Sequence, residues 1–308
     1  MIIATIFCSL VANYWSLVLS RALLGLCIGL NWSVGGLIYS EGASSYPVYN
    51  VGKIIANISG TLGAGWVAIL AYLLLEKLRW RYFIVLTSIP WFLPPIFLVH
   101  CVLTEANNDE VSRTEQEEPD VIEVTGFKVR LLKGCIVNCI SSLQGLGNIL
   151  LIPAVLSYID KDMDQSKQLL ILALEFGGAK LLGRIFGVLL MKNIRFRVLQ
   201  PTMAIIIASS YLAIVLKGDS LLVTVIALGI VNFCYIVTQF ELNLMEFDKH
   251  FFGTEGLVLA VGLMAGSGMV GATIGAINAQ FLSTPVAVKS TFVLSCIQII
   301  TFLCIHER

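Results

Sequence analysis

The chain has 308 residues, of which 57% are hydrophobic and 13% charged, and its formal net charge is zero. A mean hydropathy of +0.87 lies outside the range of soluble globular domains. Balanced charge gives a nucleic-acid partner no footing. The composition specifies an all-α, polytopic helical membrane protein whose constant partner is the lipid bilayer.

Windowed hydropathy divides the chain into about ten apolar helices. The first, near 1–14, lacks the basic flank and cleavage site of a signal peptide. The second, near 16–39, carries Arg21, Gly25 and Gly29 and is followed by Glu41. About 24 residues at roughly 1.5 Å each reach roughly 36 Å, enough to cross a bilayer. An arginine there meets a protein partner or water, or snorkels to the interface.

Helices near 50–75 and 80–103 follow. The first of them carries Gly60, Gly63 and Gly65, a small-residue face on which a neighbouring backbone can lie close. Residues 105–123 break the apolar pattern: Glu105, Asp109, Glu110, Glu115, Glu117, Glu118, Asp120 and Glu123 stand against a single Arg113. Such a block is a solvated linker. It separates an N-terminal bundle of four helices (1–103) from a C-terminal bundle of six (129–308), with 104–128 as an acidic cytoplasmic segment.

The six later helices are expected near 131–157, 167–191, 199–216, 220–240, 254–281 and 285–305. Basic residues cluster at Lys128, Arg130 and Lys133 and again at Lys192, Arg195 and Arg197. Placing both clusters in the cytoplasm puts about ten of the Lys and Arg residues on that side and about seven on the other, a thin positive-inside bias.

Intramembrane polar residues carry the functional candidates. Helix 167–191 holds Glu175, Lys180 and Arg184, the last two spaced i,i+4 and therefore on one face. Two readings stand: a solute- or ion-coupling site near mid-bilayer, where transporters place theirs, or a structural ion pair with Arg184 snorkelling. On helix 131–157, Gln144 and Asn148 form an i,i+4 stripe that suits a cavity wall or an ordinary interhelical hydrogen bond. Asn31, Trp32, Asn232 and Gln239 are candidates for the same cavity, with Asn57 and Tyr235 beside them. Gly262, Gly266, Gly271 and Gly275 suggest a second small-residue face.

The eight cysteines show no C-x-x-C, and Cys135 and Cys139, one turn apart, fit apolar packing better than metal or redox chemistry. No H-E-x-x-H, G-x-S-x-G or Asp/His cluster stands at catalytic spacing. No enzyme activity, metal or cofactor is expected.

Several motifs resemble the major facilitator superfamily, in particular the branch of synaptic vesicle glycoprotein 2 and the organic-ion transporters. Arg21-Ala22-Leu23-Leu24-Gly25-Leu26-Cys27-Ile28-Gly29, closing on Tyr39-Ser40-Glu41, resembles that branch's fourth helix. Trp80-Arg81 with Pro90 resembles the start of its sixth. Leu174-Glu175-Phe176-Gly177-Gly178 resembles the opening of its eighth, and the glycine-rich stretch 253–276 its eleventh. The resemblance implies helices 3–12 of a twelve-helix plan, N-terminally truncated. It also implies secondary transport of a small organic solute by alternating access, with a coupling proton or cation, in the plasma membrane or an intracellular vesicle membrane. Arg21, Glu41 and Arg184 take the place of gating residues.

The departures define the rival. The family's second basic loop motif survives only as Met191-Lys192-Asn193-Ile194-Arg195-Phe196-Arg197, without its aspartate or glycine. The motif after the sixth helix is reduced to Thr104-Glu105-Ala106-Asn107. These losses suit a transport-dead scaffold or receptor that keeps the bundle.

Overall fold

The computed structural model describes residues 2–11, 13–27, 63, 65–74, 77–89, 126–194, 196–246 and 256–305. Every regular element among them is helical. In chain order they are α1 (Ile2–Leu10), α2 (Tyr14–Cys27), α3 (Gly65–Leu74), α4 (Trp80–Ser88), α5 (Phe127–Ile159), α6 (Gln165–Ala173), a π-helical segment (Leu174–Ala179), α7 (Lys180–Asn193), α8 (Phe196–Lys217), α9 (Leu221–Glu246), α10 (Leu257–Phe281) and α11 (Thr284–Ile305). Five of these, α5 and α8 to α11, are long and apolar enough to cross a membrane.

The N-terminal helices start and stop for local reasons. Asn13 caps α2: its Oδ1 accepts from the Ser16 amide at 2.9 Å, while its own amide donates to Ser16 Oγ at 3.3 Å. This reciprocal pair satisfies donors that a helix start leaves without intrahelical partners, and it separates the first two apolar runs. Helix α4 packs on α1. From it Arg81 Nη2 donates to the Val11 carbonyl at 2.9 Å, a cation on the negative end of α1. Arg81 also stacks on Trp80, 5.4 Å from its ring centroid.

Helix α5 starts at Gly126, whose φ of 76° is the left-handed turn that glycine takes without a Cβ clash. Its 33 residues extend about 50 Å at roughly 1.5 Å each, beyond the roughly 30 Å hydrocarbon core. The basic first turns with Lys128, Arg130 and Lys133 supply the excess length.

Within its apolar window α5 is 62% buried, against 33% for α10 and for α11. The long helix is therefore central and the last two are peripheral. Exposed Trp15, Trp66, Leu216 and Phe281 form part of an outward apolar surface of the kind that meets lipid. The main core cluster joins the C-terminal half of α5 to α8, α9 and the start of α11, with Ile152, Leu156, Ile207, Tyr211, Leu228 and Val231 fully enclosed.

The most extensive helix contact is between α5 and α10, and glycines make it possible. A Cβ on Gly271 would overlap the Cys139 carbonyl, and one on Gly275 would come within 2.5 Å of the Leu143 carbonyl. The close face of α10 is thus Met264, Gly268, Gly271 and Gly275, spaced by three and four residues. Gly262 and Gly266 look into open space. Gly271 follows Gly266 by five positions, which carries the expected stripe off one face and onto another. Ahead of α3, Gly63 is likewise open, while Gly65 at its start is buried against the π segment: its Cβ would lie 2.9 Å from Gly177 Cα. Gly60 lies outside the described residues.

Candidate functional site at the π segment

The apolar helix expected near 167–191 is three pieces end to end, with π geometry over Leu174–Ala179. There the Lys180 amide donates to the Glu175 carbonyl, five residues back. In a regular α-helix residues five apart point about 140° away from each other. The widened turn brings Glu175 and Lys180 towards one face instead, and π turns inside helices are frequently found at functional sites. Both side chains are buried, as is Arg184 one turn further on.

Helix α9 supplies the opposite wall. Gly183 and Gly187 let α7 lie close to it: a Cβ on Gly183 would reach within 2.6 Å of the Phe233 carbonyl. From α9, Asn232 Nδ2 donates to Glu175 Oε2 at 3.0 Å. One turn earlier Gly229 lies beside the carboxylate, where a Cβ would stand in ordinary contact, 3.5 Å from Oε1 and 3.7 Å from Oε2. The Lys180 ammonium lies 4.0 Å from the Phe176 ring centroid and 5.7 Å from that of Tyr235. Neither Glu175 nor Lys180 has an ion pair within 4.0 Å among the described residues. The Lys180 charge is nonetheless within electrostatic reach of both Glu175 and Arg184.

Magnitudes say this is an expensive arrangement. The run from Gln165 to Asn193 is not among the five helices long and apolar enough to cross a membrane; for a membrane helix, a charge at the centre costs about 2.5–3.5 kcal/mol on insertion scales. A hydrogen bond to a charged group returns about 1.5–3 kcal/mol, which offsets most of the cost for Glu175. Cation–π contacts return about 0.5–2 kcal/mol, which leaves Lys180 under-compensated.

The other sequence candidates fall elsewhere. Gln144 is fully buried, and its Nε2 donates to Ser295 Oγ on α11 at 2.8 Å. In return Gln298 Nε2 on α11 donates to Ser141 Oγ at 2.9 Å. The two helices carry the same Ser-x-x-Gln spacing and clasp each other antiparallel. Asn148 lies on α5, but its side chain falls outside those described. Gln239 is half-buried on α9, one turn beyond Tyr235. Arg21 is exposed on α2. Asn31, Trp32 and Glu41 lie outside the described residues. Of the proposed set, the structure brings together Glu175, Lys180, Arg184 and Asn232.

Phe176 and Gly229 are additions to that set. Phe176 was legible as the residue four before Lys180 on the same strip. Gly229 had no signal in the sequence, because its role depends on what stands opposite.

No protein-family model matches the chain, and no curated protein matches it.

Proposed function

We propose that the chain is a secondary transporter of a small organic solute, built as a major-facilitator-type bundle of about ten membrane helices and working by alternating access. The observation that carries this reading is the buried cluster of Glu175, Lys180 and Arg184, with Asn232 and Tyr235 facing it. It flanks the centre of the run from Gln165 to Asn193, the depth at which transporters hold substrate on interrupted helices. Gly65 on α3 touches the π segment at Gly177, so the N-terminal part of the chain abuts the segment bearing the cluster. Resemblance to the synaptic vesicle glycoprotein 2 and organic-ion branch, with a proton or cation coupled to the solute, belongs to the same reading. So does residence in the plasma membrane or a vesicle membrane.

The rival, a membrane scaffold or receptor that no longer transports, rests on the reduced basic motif at 191–197 and the reduced one after the fourth predicted helix. Proteoliposome uptake separates the two. The purified chain, assayed against a panel of organic cations, anions and sugars, is expected to accumulate at least one class above empty vesicles. Solute binding without uptake of any class points to the rival.

A further inference from the structure

The cluster also limits the kind of solute that suits it. Glu175 has one carboxylate oxygen, Oε2, held by Asn232 at 3.0 Å. Its other oxygen, Oε1, has no donor among the described residues and lies beside Gly229, where there is clearance for one methyl-sized group. Lys180 has aromatic rings around its ammonium but no hydrogen-bond acceptor among the described residues. The Phe176 face holds that ammonium 4.0 Å from its ring centroid, and no direct ion pair with Glu175 forms.

An acceptor without a donor and a donor without an acceptor therefore stand side by side at 3% and 6% exposure. Both signs are open at once. A solely cationic solute leaves the Lys180 ammonium unmatched and brings a like charge beside it, and a solely anionic one does the same at Glu175. Each such juxtaposition is unfavourable where water is scarce.

We propose that Glu175 and Lys180 form a two-point site for a small zwitterion, its ammonium against Glu175 Oε1 and its anionic group against Lys180 Nζ. The inference rests on reading this cluster as a solute site. Asn232 fixes the carboxylate so that Oε1 is presented, and Phe176 and Tyr235 wall the anionic end. Gly229, without a Cβ, leaves a methyl-sized clearance beside the carboxylate, about the size of an ammonium group.

The test is calorimetric binding to the full chain in lipid nanodiscs. The probes are the ω-amino acids from glycine to 6-aminohexanoate, each beside the n-alkylamine and the n-alkanoate of equal length. The expected result is one chain length that binds at least about tenfold more tightly than its amine and its acid. Glu175→Gln should remove the advantage over the acid, Lys180→Met the advantage over the amine. Gly229→Ala, whose methyl meets only ordinary contact, should fold and weaken the amino acid more than the acid. Equal binding of amine, acid and amino acid at every length would overturn the assignment, as would a Glu175→Gln protein that binds like the parent.

The uptake panel keeps the two claims apart. Uptake of singly charged solutes with no amino-acid binding overturns the zwitterion assignment and leaves transport standing. Amino-acid binding with the two-variant pattern but no uptake supports the site and leaves transport overturned.

Discussion

Two polar regions cross the interior, and they are built on opposite terms. Between α5 and α11 the buried groups are uncharged and reciprocal: Gln144 to Ser295, Gln298 to Ser141. Asn138 Nδ2 adds a bond to the Met264 carbonyl on α10 at 2.7 Å, beside the glycine face that sets α10 against α5. Between the π segment and α9 the buried groups are charged, and their bonding capacity is left open at Glu175 Oε1 and Lys180. The amide donors of the seam find partners inside the protein, although the carbonyl oxygens of Asn138, Gln144 and Gln298 are buried without one among the described residues. The cluster differs in burying full charges, which are held at a greater cost to stability. That difference in charge is what distinguishes the seam from the cluster.

The largest expected effect falls on the scaffold. Gly271→Val puts side-chain atoms into the Cys139 carbonyl. Overpacking of this kind typically costs about 1–3 kcal/mol, with no compensating relaxation of a backbone carbonyl. A fall in the thermal midpoint of the detergent-solubilised chain checks it. Gly262→Ala, facing open space, serves as the control and should move the midpoint little. Equal effects of the two would erase the assignment of the close face.

Next comes the site, with the opposite sign. Lys180→Met removes an under-compensated buried charge and keeps an unbranched chain over Phe176. It should raise stability by about 0.5–3 kcal/mol, the insertion cost less the cation–π return, while weakening binding of the amino acid to the level of its amine. A destabilised Lys180→Met protein would mean that the ammonium belongs to the scaffold after all.

The smallest effect is expected at the clasp. Gln144→Leu loses one interhelical hydrogen bond, worth on average about 0.6 kcal/mol in membrane proteins. A double-mutant cycle with Ser295→Ala isolates it, and solute binding should be unchanged. Loss of binding in Gln144→Leu would place this residue in the solute path and blur the line between the two regions.

Much of the scaffold was legible because lipid imposes a simple rule on spans. Hydropathy placed α5 and α8 to α11 to within a few residues on most ends, since a spanning helix must be apolar along its length. The π segment was not legible. Gly177 and Gly178 read equally well as helix packing residues, and nothing local distinguishes an i→i+5 turn from an i→i+4 one. Lys180 and Arg184 were rightly placed on one face by spacing, whereas the approach of Glu175 to Lys180 depends on the widened turn. Gln144 stood out as a buried amide, but its partner is more than a hundred residues away, and only the fold pairs them. Gly262 and Gly266 misled because two small-x-x-x-small patterns five residues apart look continuous in a sequence and diverge on a helix.

The central claim is that the charged cluster handles solute and the uncharged seam only packs. Side-by-side uptake by proteoliposomes of the parent chain, Lys180→Met and Gln144→Leu tests it most directly, using whichever solute the panel shows to accumulate. The account predicts uptake in the parent and in Gln144→Leu, and none above empty vesicles in Lys180→Met. Uptake in Lys180→Met equal to the parent would contradict it.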